Sequence, residues 1–286
     1  MCLDLAGTWP PTYDRSRRCL RTVTYAHRPF QGLRVPQFSR DKSDASPQDA
    51  RCILTRRREG ERLLIETLVA DAFGTNCYVL SAGPGSECVV VDPGIGIAPR
   101  LEDVLAERGL KPVAVVLTHG HLDHTFSVTP VCGASDIPAY IHTDDRHLLA
   151  DPALGFSANM MSLVGTGLEW TEPDDVQALA DGGVFELAGM RFTVDHAPGH
   201  TAGSAMFHTA DAEGLYTITG DVLFRGAIGR TDLPGGSDAA MQDTLRDKVL
   251  PLDDATIVLP GHGPSTTIAA ERARNPYLKR AAQRAH

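Results

Sequence analysis

Pro112–His124 reads PVAVVLTHGHLDH, and its two halves settle what this chain has to build. Pro112–Leu117 is an apolar, β-rich run of the length of a strand buried on both faces. His119–His124 then places four groups able to ligate a metal, His119, His121, Asp123 and His124, within six positions. A polar loop with incidental histidines is the plainer account of the hexapeptide taken alone, but the arrangement recurs three times downstream. Arg191–Val194 (RFTV) leads through Asp195-His196-Ala197-Pro198-Gly199 to His200, Leu215–Thr219 (LYTIT) through Gly220 to Asp221, and Thr256–Leu259 (TIVL) through Pro260-Gly261 to His262. Four short β-rich runs thus each deliver a His or Asp near their ends. Strand ends that converge on one edge of a sheet gather these groups into a single polar cluster, the expected make-up of a metal site.

The donor set points to the kind of site. One first-row ion takes about four to six donors, so seven suffice for two ions that share a bridging group. Paired ions lie roughly 3.5–4 Å apart and clamp a water or hydroxide between them. None of the seven residues is a cysteine. Structural zinc sites are closed and Cys-rich, whereas catalytic sites use His and carboxylate and keep a position open. Within the first motif, His119, His121 and Asp123 stand at alternate positions, which an extended segment would point the same way. His124 breaks the alternation, so the loop has to turn if all four are to ligate.

Thr118-His119-Gly120-His121-Leu122-Asp123-His124, Pro198-Gly199-His200-Thr201-Ala202-Gly203-Ser204, Gly220-Asp221 and Pro260-Gly261-His262-Gly263 resemble, in order and spacing, the successive motifs of the metallo-β-lactamase superfamily. The likeness covers roughly Leu63 to Leu278. Gly220–Gly236 (GDVLFRGAIGRTDLPGG) and Glu271–Leu278 (ERARNPYL) are similar to the short bacterial glyoxalase II-like hydrolases, and the IGRTD element also to persulfide dioxygenases. The resemblance implies an α+β fold, a four-layer αββα sandwich. It also implies two divalent ions, zinc first with iron or manganese as alternatives. His119, His121 and His200 would hold the first ion and Asp123, His124 and His262 the second, with Asp221 bridging. Asp123 and Asp221 are then the candidate catalytic carboxylates.

The chemistry expected of such a centre is hydrolysis. Hydroxide held between two cations exists at neutral pH, and a thioester suits it because thiolate leaves with little acid assistance. The expected substrate is a small-molecule thioester of the 2-hydroxyacyl-glutathione type. Longer glyoxalase II enzymes bind glutathione partly through a C-terminal helical extension, and only 24 residues follow His262 here. Arg230, Arg272 and Tyr277, with Arg274 and Lys279, are the candidates to meet the thiol half. A mononuclear iron persulfide dioxygenase would use His119, His200 and Asp221 and leave the other four donors without a purpose. A β-lactamase would be expected to carry a cysteine at position 221. A flavin-dependent di-iron oxidoreductase would be expected to carry Glu at position 121 and a flavodoxin domain. A non-catalytic binding protein would be expected to have lost ligands.

Composition bounds the rest. In the 286 residues, 42% are hydrophobic, enough for a sizeable core, and no apolar run approaches the ~18 residues that span a membrane. The start lacks a signal-peptide layout. Cys2, Cys19, Cys52, Cys77, Cys88 and Cys132 show no CxxC spacing and read as reduced thiols of a cytoplasmic protein. Through Arg62 the chain carries 13 Lys+Arg against 7 Asp+Glu, and the remainder 14 against 29. Residues 1–60, basic, aperiodic and scattered with Pro and Ser, read as a poorly structured extension. Residues 61–286 read as the catalytic domain, ending in a short helix. Its acidity argues against nucleic acid as a partner, no membrane partner is expected, and the oligomeric state stays open.

Leu63–Val69, Asn76–Leu80 and Cys88–Val91 read as strands, and Ile97, Leu101, Val104 and Leu105 are spaced for one face of a helix over Ile97–Arg108. Val184–Val194 and Ser204–Thr219 are β-rich. Periodicity alone supports layered α and β, and the sandwich follows from the resemblance. Asp92, before a Pro-Gly turn, either caps that turn or bonds a ligand histidine. His196 is placed either to hold a ligand or as plain structure. His142 and His147 are expected at a helix start, and His208 on a strand.

Overall fold

The computed structural model describes residues 62–156 and 171–283. The N-terminal extension expected over residues 1–60, with Cys2, Cys19 and Cys52, lies outside the described residues.

Alternation of side chains along each strand decides the layers. In β2 (Asn76–Ser81), Cys77 and Val79 point to one face while Tyr78 and Leu80 point to the other. The same split separates Cys88 and Val90 from Val89 and Val91 in β3 (Glu87–Val91), and Val115 from Val116 in β4 (Lys111–Val116). With β1 (Leu64–Val69), β5 (Ala139–His142) and β6 (Val176–Leu179) these form a six-stranded sheet in chain order. Its first three strands are antiparallel and the last three join in parallel. A second six-stranded sheet runs, also in chain order, through β7 (Val184–Leu187), β8 (Met190–His196), β9 (Ala205–Ala210), β10 (Leu215–Gly220), β11 (Ile257–Pro260) and β12 (Thr266–Thr267).

Three apolar cores hold four layers together. Tyr78, Leu80, Val89, Val91 and Val116 of the first sheet meet Met190, Phe192, Val194, Phe207, Ile218 and Leu259 of the second. The outer face of the first sheet packs on α1 (Ala98–Arg108), α3 (Val128–Ser135) and α4 (Arg146–Ala150) through Ile97, Leu101, Val131 and Leu149. That of the second sheet, through Met206 and Val258, packs on α5 (Asp238–Thr244), α6 (Ile268–Arg274) and α7 (Pro276–Gln283). The order is αββα, as the resemblance implied. Helix α1 starts one residue later than its periodicity suggests, with Ile97 at the cap and Pro at the first turn, where a missing N–H costs nothing. Cys77, Cys88 and Cys132 are buried free thiols, and burial pushes Cys88 and Cys132 up to about 12. Among the described residues no helix is long and apolar enough to cross a membrane.

Two parallel pairs fix where the site must form. Val91 of β3 lies opposite Val116 of β4, so the chain leaves both strands at the same edge, as Asp92 and as Leu117-Thr118. Gly220 of β10 lies opposite Pro260 of β11, which sets Asp221 beside Gly261-His262. An isolated bridge between Thr75 and His262 joins the two edges.

Candidate metal centre

The first motif leaves β4 extended. His121 has φ −66° and ψ 143°, and the short helix α2 (Leu122–Thr125) begins at the next residue. The alternation expected of an extended segment therefore holds for His119 and His121, and the turn required to bring in His124 falls between His121 and Asp123. All seven expected ligands come together. His119, His121 and His200 place nitrogen atoms within 4.8 Å of one another, and so do the donor atoms of Asp123, His124 and His262. His121 Nδ1 lies 2.8 Å from His200 Nε2, and His124 Nε2 lies 3.3 Å from His262 Nε2. Asp221 faces both groups. Its Oδ1 is 3.3 Å from His124 Nε2, while its Oδ2 is 3.4 Å from His200 Nε2 and 3.5 Å from His262 Nε2.

Hydrogen bonds behind the rings decide which nitrogen each presents. Asp92 Oδ2 accepts from Thr118 Oγ1 at 2.6 Å and from His124 Nδ1 at 2.9 Å, and Asp92 Oδ1 accepts from the Thr118 amide at 2.8 Å. Because the Thr118 hydroxyl proton goes to Asp92, His119 Nδ1–H donates to that hydroxyl at 3.1 Å. His200 Nδ1–H donates to the Arg230 carbonyl at 2.7 Å, and His262 Nδ1–H to the Phe73 carbonyl at 3.1 Å. Four rings are thereby fixed with Nε2 turned inward, the arrangement that orients metal-ligating histidines. His119 Nε2 and Asp221 Oδ1 are buried without a hydrogen-bond partner. Buried polar atoms in that condition are costly, and bound cations would satisfy them. The residues present fit a pair of metal ions. Gly261 belongs to the same cradle, since a Cβ there would strike Asp221 Oδ1 and stand 2.8 Å from His124 Cε1.

The electrostatics divide the cluster in two. Burial pulls His119 well below its ordinary value and His121 down to about 3, reinforced by neighbouring imidazoles. Burial also opposes charge on His124 and His262, but Asp123 and Asp221 outweigh it, raising His124 well above its usual range and His262 to about 9. Burial would raise Asp123 and Asp221. Their histidine neighbours hold Asp123 down at about 2 and Asp221 well below the carboxylate range. The negative field that keeps protons on His124 and His262 is the field that would favour cations in their place.

Other expectations meet mixed outcomes. Asp92 bonds His124, one of the expected ligands, rather than merely capping its turn, and it adopts φ +49°. His196 Nε2 donates to the Ala202 carbonyl at 2.8 Å, bracing the loop after His200 from outside. His142 ends β5 and caps the short turn after it, His147 lies in α4, and His208 sits on β9 against Asp195 at 3.0 Å. His142, Asp144 and His196 also gather, but the two rings stack at 3.9 Å with planes 8° apart. The two ring planes do not meet within ligand distance of both rings, so this trio does not suit a metal. Arg272 donates to the carbonyls of Leu250 and Leu252 at 2.9 and 3.0 Å and to Asp254 at 2.8 Å, which engages its guanidinium within the fold. Arg230 forms an exposed two-pronged pair with Asp232 at 2.7 Å. Tyr277, Arg274 and Lys279 are exposed.

Sequence reasoning missed Thr75, whose hydroxyl donates to Asp123 Oδ2 at 3.1 Å, and Asp145, a carboxylate only 1% exposed between two ligand loops. It also missed the Phe73 carbonyl, which a sequence pattern does not display.

With this geometry, the chain belongs to the metallo-beta-lactamase superfamily, whose family model matches residues 70–262. It is similar to the hydroxyacylglutathione hydrolase GloC of Haemophilus influenzae, 34% identical over 214 residues, covering 75% of this chain and 97% of that protein. Two crystal structures are also similar: the B3 metallo-beta-lactamase BLEG-1 (38% identity, TM-score 0.66, 75% of this chain and 99% of the other) and TTHA1623 in a di-iron-bound form (35% identity, TM-score 0.62, 74% and 99%).

Proposed function

We propose that the protein is a metallo-hydrolase that cleaves a thioester of the 2-hydroxyacyl-glutathione type. In this reading His119, His121 and His200 hold one divalent ion, Asp123, His124 and His262 hold a second, and Asp221 lies between them. The observation that carries it is the placement of Asp221, whose two oxygens stand 3.3–3.5 Å from nitrogens of both triads. Bound ions would polarise a thioester carbonyl and supply hydroxide at neutral pH.

The chain's own residues do the rest. Asp92, Thr118, Arg230 and Phe73 hold four imidazoles with their protons directed away from the centre. Asp123 and Asp221 offset part of the cationic charge. Those Nδ1–H groups are committed behind the rings, so they are not offered to a leaving group. A thiolate, which departs without a proton donor, matches that arrangement. The hydroxyacylglutathione hydrolase named above supports this substrate class. Zinc is the first expectation, and the di-iron-bound structure makes iron the alternative.

A single-iron dioxygenase would use His119, His200 and Asp221 and leave the assembled Asp123–His124–His262 triad idle. The deciding experiment measures metal content of the full-length protein alongside three assays: thiol release from S-lactoylglutathione, oxygen uptake with glutathione persulfide, and β-lactam opening. Two ions per chain with thioester cleavage is the expected result. One iron per chain with oxygen consumption, or β-lactam opening in place of thioester cleavage, would overturn the proposal.

A further inference from the structure

Asp145 stands at the N-cap of α4, the position where an Asp ordinarily accepts from its own helix, yet its side chain makes no cap bond. Both carboxylate oxygens turn the other way. Oδ2 accepts from the Gly120 amide at 2.9 Å and from Thr201 Oγ1 at 2.6 Å, and Oδ1 accepts from the Gly203 amide at 2.6 Å. Gly120 lies between His119 and His121, and Thr201 follows His200. One buried carboxylate therefore ties together the two loops that carry the three-histidine triad. The site is built to admit it. A Cβ on Gly203 would stand 2.7 Å from Asp145 Cβ and Cγ, and one on Gly120 would stand 2.9 Å from the Asp145 carbonyl oxygen. Ser204 Oγ lies 2.7 Å from Thr201 Oγ1 and accepts from the Thr201 amide at 3.1 Å, which aims the Thr201 hydroxyl at Asp145.

The second triad is held by other means. Thr75 bonds Asp123, Asp92 bonds His124, and the Phe73 carbonyl takes the His262 proton. We infer that Asp145 is a positioning residue for one ion of the pair, setting the spacing of His119 and His121 against His200 while leaving the Asp123–His124–His262 position to its own supports. The inference rests on the two-ion reading above. Three donors converge on the carboxylate, so only an acceptor on both oxygens serves all of them. Asn presents an NH₂ to at least one donor and breaks that contact, while keeping size and shape.

The test titrates the full-length, chelator-stripped protein with zinc against a chromophoric competitor, giving one dissociation constant per ion. His262→Ala marks the constant that belongs to the second triad. Asp145→Asn should weaken the other constant by about 10- to 100-fold, the usual effect of losing a support behind a ligand, and leave the marked one unchanged. Thr201→Val, which removes the hydroxyl's bonds to Asp145 and Ser204 and keeps the carboxylate with its two amide bonds, should weaken the same constant by less. Equal weakening of both ions, or of neither, would overturn the inference while the two-ion reading stands. If Asp145→Asn does not fold, Thr201→Val decides alone, and unchanged affinity there overturns it. A wild-type chain that takes up only one ion refutes the two-ion reading instead.

Discussion

Replacing Asp92 by Asn isolates one oxygen-to-nitrogen exchange at the back of the centre. The site tolerates the shape, because Asn adopts the left-handed backbone region nearly as readily as Asp, and Asp92 sits at φ +49°. Oδ1 can keep its bond from the Thr118 amide, 2.8 Å away. Oδ2 becomes an NH₂ facing two donors, the Thr118 hydroxyl at 2.6 Å and His124 Nδ1–H at 2.9 Å. Two buried bonds to a charged acceptor are worth about 1.5–3 kcal/mol each. The hydroxyl can rotate, and His124, held charged in the metal-free protein, can give up its Nδ1 proton and keep the one on Nε2, recovering neutral bonds of about 1 kcal/mol each. The net loss is then about 2 kcal/mol, or roughly 4–8 °C in melting temperature for a domain of this size. The recovery has a chemical consequence: a proton on His124 Nε2 occupies the lone pair that would bind metal. The metal-free Asp92→Asn protein should therefore melt a few degrees lower and take up its second ion about 10- to 100-fold more weakly. Calorimetry of the stripped protein and competitive zinc titration measure the two effects. Unchanged affinity for both ions beside a lowered melting temperature would show that Asp92 supports the fold and does not set the tautomer of His124.

Asp221→Ala removes the carboxylate that faces both triads, so elemental analysis should find metal occupancy lowered and thiol release should fall by orders of magnitude; His208→Ala, on β9 with its side chain against Asp195, should change stability modestly and keep metal content. Gly261→Ala should lower metal content without unfolding the chain, because the new methyl enters the space beside Asp221 Oδ1 and His124 Cε1. Arg272→Ala frees two carbonyls and Asp254, so urea denaturation should show a loss of about 1–3 kcal/mol with KM for the thioester unmoved; a raised KM at full stability would restore its substrate role. For the metal-free protein, His262 is raised to about 9, so its stabilising charge is fully present below about 6.5 and is lost as pH rises toward 9. Melting temperatures across that window should fall with pH in stripped protein and flatten once metal replaces the proton.

The strand ends were legible because a buried strand is a short apolar, β-rich run, and because His and Asp placed after four such runs have few other reasons to be there. Periodicity marked α1 to within a residue. The seven candidate ligands stand in local motifs and could be picked out one by one. What supports them could not. Asp145 precedes a helix, so any sequence reading makes it a cap, and only the approach of loops 56 and 58 residues away shows that its oxygens point elsewhere. The Phe73 and Arg230 carbonyls that fix His262 and His200 belong to the backbone and leave no trace in residue type. Arg272 is ambiguous for the opposite reason: a cation near the C-terminus suits a substrate carboxylate and backbone carbonyls equally, and its contacts within the fold are to the carbonyls of Leu250 and Leu252.

Because each sheet is assembled in chain order, the strand ladders within residues 62–179 and within residues 184–267 are separate from each other. The donors ignore that division. His119, His121, Asp123 and His124 come from the first half and His200, Asp221 and His262 from the second, so neither half alone completes a triad. An ion bound to the native arrangement and not to the separated halves adds its binding free energy to their docking. A metal-loaded centre would then act as a reversible rivet across the inter-sheet seam, with slowed hydrogen exchange along β4 and β10 on metal loading as its signature.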